Sequence, residues 1–100
     1  MLHLRIIAPS AVTGSVQETL LDEPGATHIS VQTGAAVKPA GDAIEADVTR
    51  EAVDRLLDRL LELGLDHTGG VTLQAVDTTL SDHATAAEQA VSGDPDDAVI

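Results

Sequence analysis

The chain has 100 residues, enough for one domain with a single hydrophobic core. It contains no Phe, Trp, Tyr or Cys, so the core must be aliphatic, and disulfides, thiolate catalysis and zinc–thiolate sites are excluded. A formal net charge of -12 repels phosphates, and no aromatic ring is present to stack on a base, so we exclude nucleic acid as a partner.

The acidic residues are spread along the whole chain. Seventeen Asp and Glu residues face five Lys and Arg residues. This distribution favours adaptation to high salt, where mobile ions screen the carboxylates that keep a surface hydrated. A GC-rich bacterial genome, which encodes Ala, Asp and Arg freely, is the alternative explanation.

The first half of the chain reads as strand, helix, strand. Apolar residues alternate along the first strand, which Pro9 closes: Leu2, Leu4 and Ile6. A helix is predicted to begin at Thr13 or Ser15 and to end at the Pro24–Gly25 turn, with three residues facing inward: Val16, Leu20 and Leu21. A second strand is predicted from Thr27 to Thr33, with Ile29 and Val31 buried.

The second half repeats this pattern after a predicted loop at 34–42, which contains two glycines, a proline and the single lysine. The third strand has an inner face of Ile44, Ala46 and Val48. The second helix begins after Thr49, a good N-cap, and has an apolar stripe at helical spacing: Val53, Leu56, Leu57, Leu60 and Leu63. The fourth strand follows Gly69 and Gly70, with Val71, Leu73 and Ala75 alternating with polar residues.

The order β-α-β-β-α-β predicts a ferredoxin-like α+β sandwich over residues 1–78: a four-stranded antiparallel sheet with both helices on one face. Strand one is predicted between strands three and four, with strands one and three central and parallel to each other. Arg5 should then lie beside Glu45 or Asp47 on the other face. Residues 79–100 are predicted to form a weak acidic helix from Leu80 to Val91, with Ser81 near its start, and then a connector from Asp96 to Ile100.

No segment approaches the roughly 20 consecutive apolar residues that a membrane span needs, and the N-terminus enters a strand without a signal peptide. The chain as given is therefore expected to be soluble and cytoplasmic.

The sequence has no catalytic signature. Its serines lie in no G-x-S-x-G motif, its glycines form no phosphate-binding loop, and its histidines lack metal-ligand spacing, so we expect no metal and no cofactor. One ligand-binding site is predicted at the start of helix one, where Ser10 and Thr13 and the unpaired N–H groups could hold a small anion or an amino acid. Alternatively, these hydroxyls only cap the helix.

Several segments resemble one known family: 1–9 (MLHLRIIAP), 22–25 (DEPG), 34–42 (GAAVKPAGD), 51–65 and 76–78 (VDT). They are similar to the soluble N-terminal region of the uncharacterised hydrophobic-domain membrane proteins, catalogued as domain of unknown function three-eight-nine. The resemblance covers nearly the whole chain and rests on turns, a loop and strand ends. It implies that a transmembrane region follows and that the parent protein lies in the cell membrane. It assigns no functional residues.

These observations predict a non-enzymatic regulatory or assembly domain of an integral membrane protein. Its partners would be the transmembrane region of the same protein and further copies of this chain, because edge strands and apolar residues such as Ile7 and Val76 would be left uncovered. One alternative is a small-molecule sensor resembling the amino-acid-binding ACT domains, with ligand at Ser10 and Thr13. Another is a small enzyme that uses His28 and Asp47 as an acid–base pair.

Overall fold

A computed structural model describes residues 1–92. Within this range the chain forms four strands and four helices. In chain order these are β1 (Leu2–Ala8), α1 (Ser10–Leu21), β2 (Ala26–Val37), β3 (Ala40–Val48), α2 (Arg50–Glu62), α3 (Leu65–Thr68), β4 (Gly70–Ala75) and α4 (Asp82–Val91). The predicted connector from Asp96 to Ile100 lies outside the described residues.

The four strands form one sheet in the order β2-β3-β1-β4, which confirms the ferredoxin-like α+β fold and the position of β1 between β3 and β4. Every neighbouring pair is antiparallel. The predicted parallel orientation of β1 and β3 is therefore wrong. The α1 crossover makes β2 run in the same direction as β1, and the hairpin that follows reverses the chain again before β3.

The core lies between one face of the sheet and helices α1 and α2. The alternating residues of β1 and β3 are buried as predicted, and they pack with residues from both helices. The most completely buried side chains include Leu4, Ile6, Val16, Leu20, Ile44, Val48, Leu56 and Leu60. Of the predicted inward residues of α1, Leu21 is 64% exposed. Thr19 is buried instead, because its hydroxyl donates to the Ser15 carbonyl at 2.8 Å and so carries no unpaired polar group into the core.

Two predicted boundaries are wrong. Helix α1 begins at Ser10, ahead of Thr13 and Ser15, because the Pro9 carbonyl already accepts the Val12 N–H at 2.9 Å and closes the first turn. The predicted loop at 34–42 is a hairpin in which β2 continues to Val37 and β3 starts at Ala40. Ladder hydrogen bonds come from the backbone, so the small residues of this segment pair without a hydrophobic face.

Helix α4 is present as predicted, and the Ser81 hydroxyl caps it by accepting the Ala84 N–H at 3.1 Å. Leu80 precedes the cap and is 93% exposed, so the helix begins at Asp82, two residues later than predicted. The helix packs against β2 through Ala84, Ala87 and Val91, and Val91 joins the main core.

A buried corner joins the two halves of the repeat. Glu23, only 6% exposed, accepts two hydrogen bonds from Arg55 of α2, Nε to Oε1 at 2.7 Å and Nη2 to Oε2 at 2.8 Å. Its Oε2 also accepts the Gly25 N–H at 2.9 Å, and the Gly25 carbonyl accepts the Thr49 N–H at 3.0 Å. A Cβ at position 25 would lie 2.6 Å from the Ala52 Cβ, so only glycine fits.

A second close approach lies at the start of β4. A Cβ at position 69 would lie 1.9 Å from the Ile7 carbonyl oxygen at the end of β1. A side chain at Gly69 would force the two backbones apart. No helix within residues 1–92 has the length and apolar character needed to cross a bilayer.

We expect Glu23→Gln to lower the free energy of unfolding by about 1–2 kcal/mol at pH 7, because it weakens charge-assisted hydrogen bonds at a buried site. Hydrogen bonds from Arg55 hold the pKa of Glu23 below its usual value. The stabilisation is therefore present above the unfolded-state pKa, near 4.3, and is lost as the pH falls through the lower folded-state pKa.

Urea unfolding at pH 7 and at pH 3 measures this effect, with Glu18→Gln on the exposed side of α1 as the control. An equal loss in both variants, or a Glu23→Gln effect that is undiminished at pH 3, would contradict the proposed role of the corner.

Candidate functional site

The predicted ligand site at the start of α1 is occupied by a carboxylate of the chain itself. Ser10 is exposed at the first position of the helix. The Thr13 hydroxyl donates to Oδ2 of Asp42, whose Oδ1 accepts the Gly34 N–H at 2.7 Å. The Thr13 hydroxyl and the Gly34 N–H hold the pKa of Asp42 below its usual value. Ligand binding at Ser10 and Thr13 stays a prediction, and an anionic ligand there would have to compete with Asp42.

A larger group of polar side chains lies on the sheet face opposite α1 and α2, which we call the open face. The alternation of β1 and β3 places His3, Arg5 and Ile7 there, together with Glu45 and Asp47. Helix α4 packs on β2, and Arg5 on β1 is exposed.

His3 lies between two carboxylates. Its Nδ1 is 2.8 Å from Asp47 Oδ1 and its Nε2 is 2.9 Å from Glu45 Oε1. His3 and Asp47 are direct partners in the β1–β3 ladder. The prediction that Arg5 lies beside Glu45 or Asp47 is confirmed for Glu45, its direct partner in the β1–β3 ladder. Within residues 1–92 both carboxylates form their ion pairs with His3 rather than with Arg5.

His28 reaches the same carboxylate from the other side through a break in the β2–β3 ladder. The register shifts between Thr27 and Ser30, and His28 in this bulge has a φ of +52°. Its Nδ1 is 2.7 Å from Asp47 Oδ2 and its Nε2 is 2.8 Å from Ser81 Oγ. The sequence-based expectation that His28 approaches Asp47 is confirmed, and Ser81 is an additional member.

The result is a continuous chain of hydrogen bonds in the order Ser81, His28, Asp47, His3 and Glu45. The hydrogen bond to Asp47, followed by that to Glu45, raises the pKa of His3. Burial opposes ionisation of Asp47, but hydrogen bonds from His28 and His3 outweigh it and lower the pKa of Asp47. In the neutral tautomer of His28 that carries its proton on Nδ1, this proton is donated to Asp47. Nε2 of the same ring can then accept a hydrogen bond from the Ser81 hydroxyl.

One concave region borders this network, and another lies apart from it. One, of about 250 Å³, lies on the open face between β1 and its neighbours and is lined by His3, Arg5, Glu45, Thr72 and Gln74. The other, of about 510 Å³, lies away from the network, between the start of α2 and α4. Among residues 1–92, no three His, Asp or Glu side chains are arranged to hold a metal ion.

Together the fold and the network define an α+β sandwich of ferredoxin-like topology with a histidine–carboxylate chain on its open face. No family model matches this sequence, and no curated protein or solved structure is detectably similar to it. The resemblance to the membrane-protein family stays a prediction.

We expect His3→Gln to destabilise the protein at pH 6 by about 0.5–1 kcal/mol, the magnitude of a partly exposed ion pair. Because the folded-state pKa of His3 is raised, the stabilisation is fully present below the unfolded-state value of about 6.5 and is lost as the pH rises through the folded-state pKa. The destabilisation should therefore be smaller at pH 9.

Denaturant unfolding of wild type and variant at the two pH values measures this difference, and His83→Gln on the exposed surface of α4 is the control. A destabilisation by His3→Gln that is equal at pH 6 and pH 9 would show that protonated His3 contributes nothing.

Proposed function

We propose that the chain is a regulatory or assembly domain of an integral membrane protein and that it works through contact between copies. The observation that carries the proposal is the outer edge of β4. This strand ends the sheet, with β1 as its single strand partner among residues 1–92, and its residues 72–75 are exposed.

The β4 edge lacks the residues that usually prevent an edge strand from pairing with a strand of another molecule. Natural edge strands commonly carry charges or proline, which block pairing with a second sheet. Strand β4 carries neither over Gly70–Ala75, although the whole chain has a formal net charge of -12. Two copies can therefore meet at this edge without bringing carboxylates of the two strands together. The opposite edge, β2, has α4 packed against it.

Antiparallel pairing of β4 with β4 of a second copy would join the two sheets around a two-fold axis. Leu73 pairs with Leu4 in the β1–β4 ladder and so lies on the helix side of the sheet, where it is 39% exposed. In such a dimer the two Leu73 side chains would approach each other and lose their contact with water.

The membrane part of the proposal is supported by the family resemblance. We expect the reading frame to continue past Ile100 into several apolar segments of about 20 residues each. Sequencing the gene downstream of this codon tests the expectation directly. A stop codon immediately after Ile100 would contradict this expectation. The assembly role would then depend only on the dimerisation experiment below.

We expect wild-type protein to form dimers and Leu73→Glu to weaken their association at least about tenfold, because a carboxylate on the edge must be desolvated or face its symmetry mate. Size-exclusion chromatography with light scattering over a concentration series measures the dissociation constant.

Leu80→Glu adds the same charge at a side chain that is 93% exposed and lies off the sheet. It should leave the dimer intact. Monomeric wild-type protein at all concentrations, or equal weakening by both variants, would refute pairing through β4.

A further inference from the structure

The first three members of the network have the connectivity of a serine-hydrolase triad. The carboxylate contacts Nδ1 of His28 at 2.7 Å, and the hydroxyl contacts Nε2 at 2.8 Å. These are the nitrogens that general-base activation of a serine requires: one orients the ring and the other removes the hydroxyl proton. We call Ser81, His28 and Asp47 the relay.

The backbone at His28 is held in an unusual conformation that directs its ring into the relay. A φ of +52° is uncommon for a residue other than glycine and costs energy, and here it falls in a β-bulge. Bulges frequently redirect a side chain beside an active site. Capping of α4 needs only the hydrogen bond from the Ala84 N–H to Ser81 Oγ and explains neither the bulge nor the position of the ring.

The other carboxylate oxygen of Asp47, Oδ1, is also fixed by a hydrogen bond. Asp47 is 17% exposed, and its Oδ1 contacts His3 Nδ1 at 2.8 Å while its Oδ2 faces His28. His3 therefore acts as a positioning residue for Asp47. In the same way, carboxylates in known relays are fixed by further hydrogen bonds.

The negative charge that develops on the acyl oxygen of a substrate at Ser81 would lie near the N-terminus of α4, a ten-residue helix. Ser81 Oγ accepts the Ala84 N–H and the Ser81 carbonyl accepts the Thr85 N–H. The N–H groups of Asp82 and His83 have no acceptor among residues 1–92, as expected for the first turn of a helix. Such N–H groups stabilise oxyanions.

We propose that Ser81 is a nucleophile of the serine-hydrolase type, activated by His28 and Asp47, that accepts acyl groups from small esters. This activity goes beyond the proposed assembly role and would replace the expectation of a non-enzymatic domain. Because the relay lies at the surface and the chain is strongly acidic, its substrates are short-chain esters that are uncharged or cationic.

The reaction balances with water as the sole co-substrate. Ser81 Oγ bonds to the acyl carbon while its proton moves to His28 Nε2. The bond from the acyl carbon to the alcohol oxygen then breaks, and the alcohol leaves with that proton. Water next gives a proton to Nε2 and bonds to the acyl carbon. The bond between the acyl carbon and Ser81 Oγ then breaks, and Oγ recovers the proton from Nε2. Ester and water become carboxylic acid and alcohol.

The test uses a fluorophosphonate probe, with mass spectrometry to locate the adduct, and p-nitrophenyl acetate as an ester substrate. We expect the wild-type protein to be labelled at Ser81 and to hydrolyse the ester. Ser81→Asn keeps an N-cap acceptor but has no nucleophile, so the fold should persist while labelling disappears and hydrolysis falls roughly 100-fold. His28→Gln should reduce both by a similar factor.

Ser92→Ala removes the exposed serine at the other end of α4, whose hydroxyl donates to the Gln89 carbonyl at 2.8 Å, and it should change neither measurement. Failure of the probe to label wild-type Ser81, or hydrolysis unchanged in Ser81→Asn, would overturn the proposal. Leu73→Glu should retain labelling, so failure of the assembly role and failure of the nucleophile are distinguished by separate experiments.

Discussion

The ion pair between Glu23 and Arg55 fixes the relation between the two halves of the repeat. Glu23 lies in the turn that follows α1, and through Arg55 and Gly25 it holds that turn against the start of α2. The same turn is bonded to Thr49, which ends β3 and caps α2. A buried carboxylate needs such partners, so one side chain ties the turn after α1 to helix α2.

Most of the fold follows from local sequence signals. The alternation in β1 and β3 and the apolar stripe of α2 act through burial, and a period of two or 3.6 residues is visible in any sequence. The sequence-based predictions fail where something other than the burial of apolar residues determines the structure. The hairpin at 34–42 pairs through backbone groups and the Asp42 carboxylate. Helix α1 starts early because a proline carbonyl closes its first turn. Thr19 replaces Leu21 in the core through a hydrogen bond that periodicity does not encode.

The functional network is only partly visible in the sequence. Alternation places His3 and Asp47 on one face, and neighbouring strands bring His28 near Asp47. The sequence places Ser81 only near the start of the last helix, because its contact with His28 spans 53 positions and depends on a bulge that alternation cannot reveal. The hydrogen bond from Thr13 to Asp42 is hidden for a similar reason, since it depends on a hairpin where the composition predicts a loop.

The contact between Gly69 and the Ile7 carbonyl has a consequence for evolution. A substitution at this position separates β4 from β1 whatever the new side chain is, because the obstruction is backbone. Gly25 is confined by side-chain atoms instead, the Cβ of Ala52 and the Oγ1 of Thr49. No exchange of a neighbouring side chain makes room at position 69, and room at position 25 would require changes at both Ala52 and Thr49. Distant descendants of the same ancestor should therefore retain glycine at both places, 44 residues apart in this chain, long after overall identity has decayed.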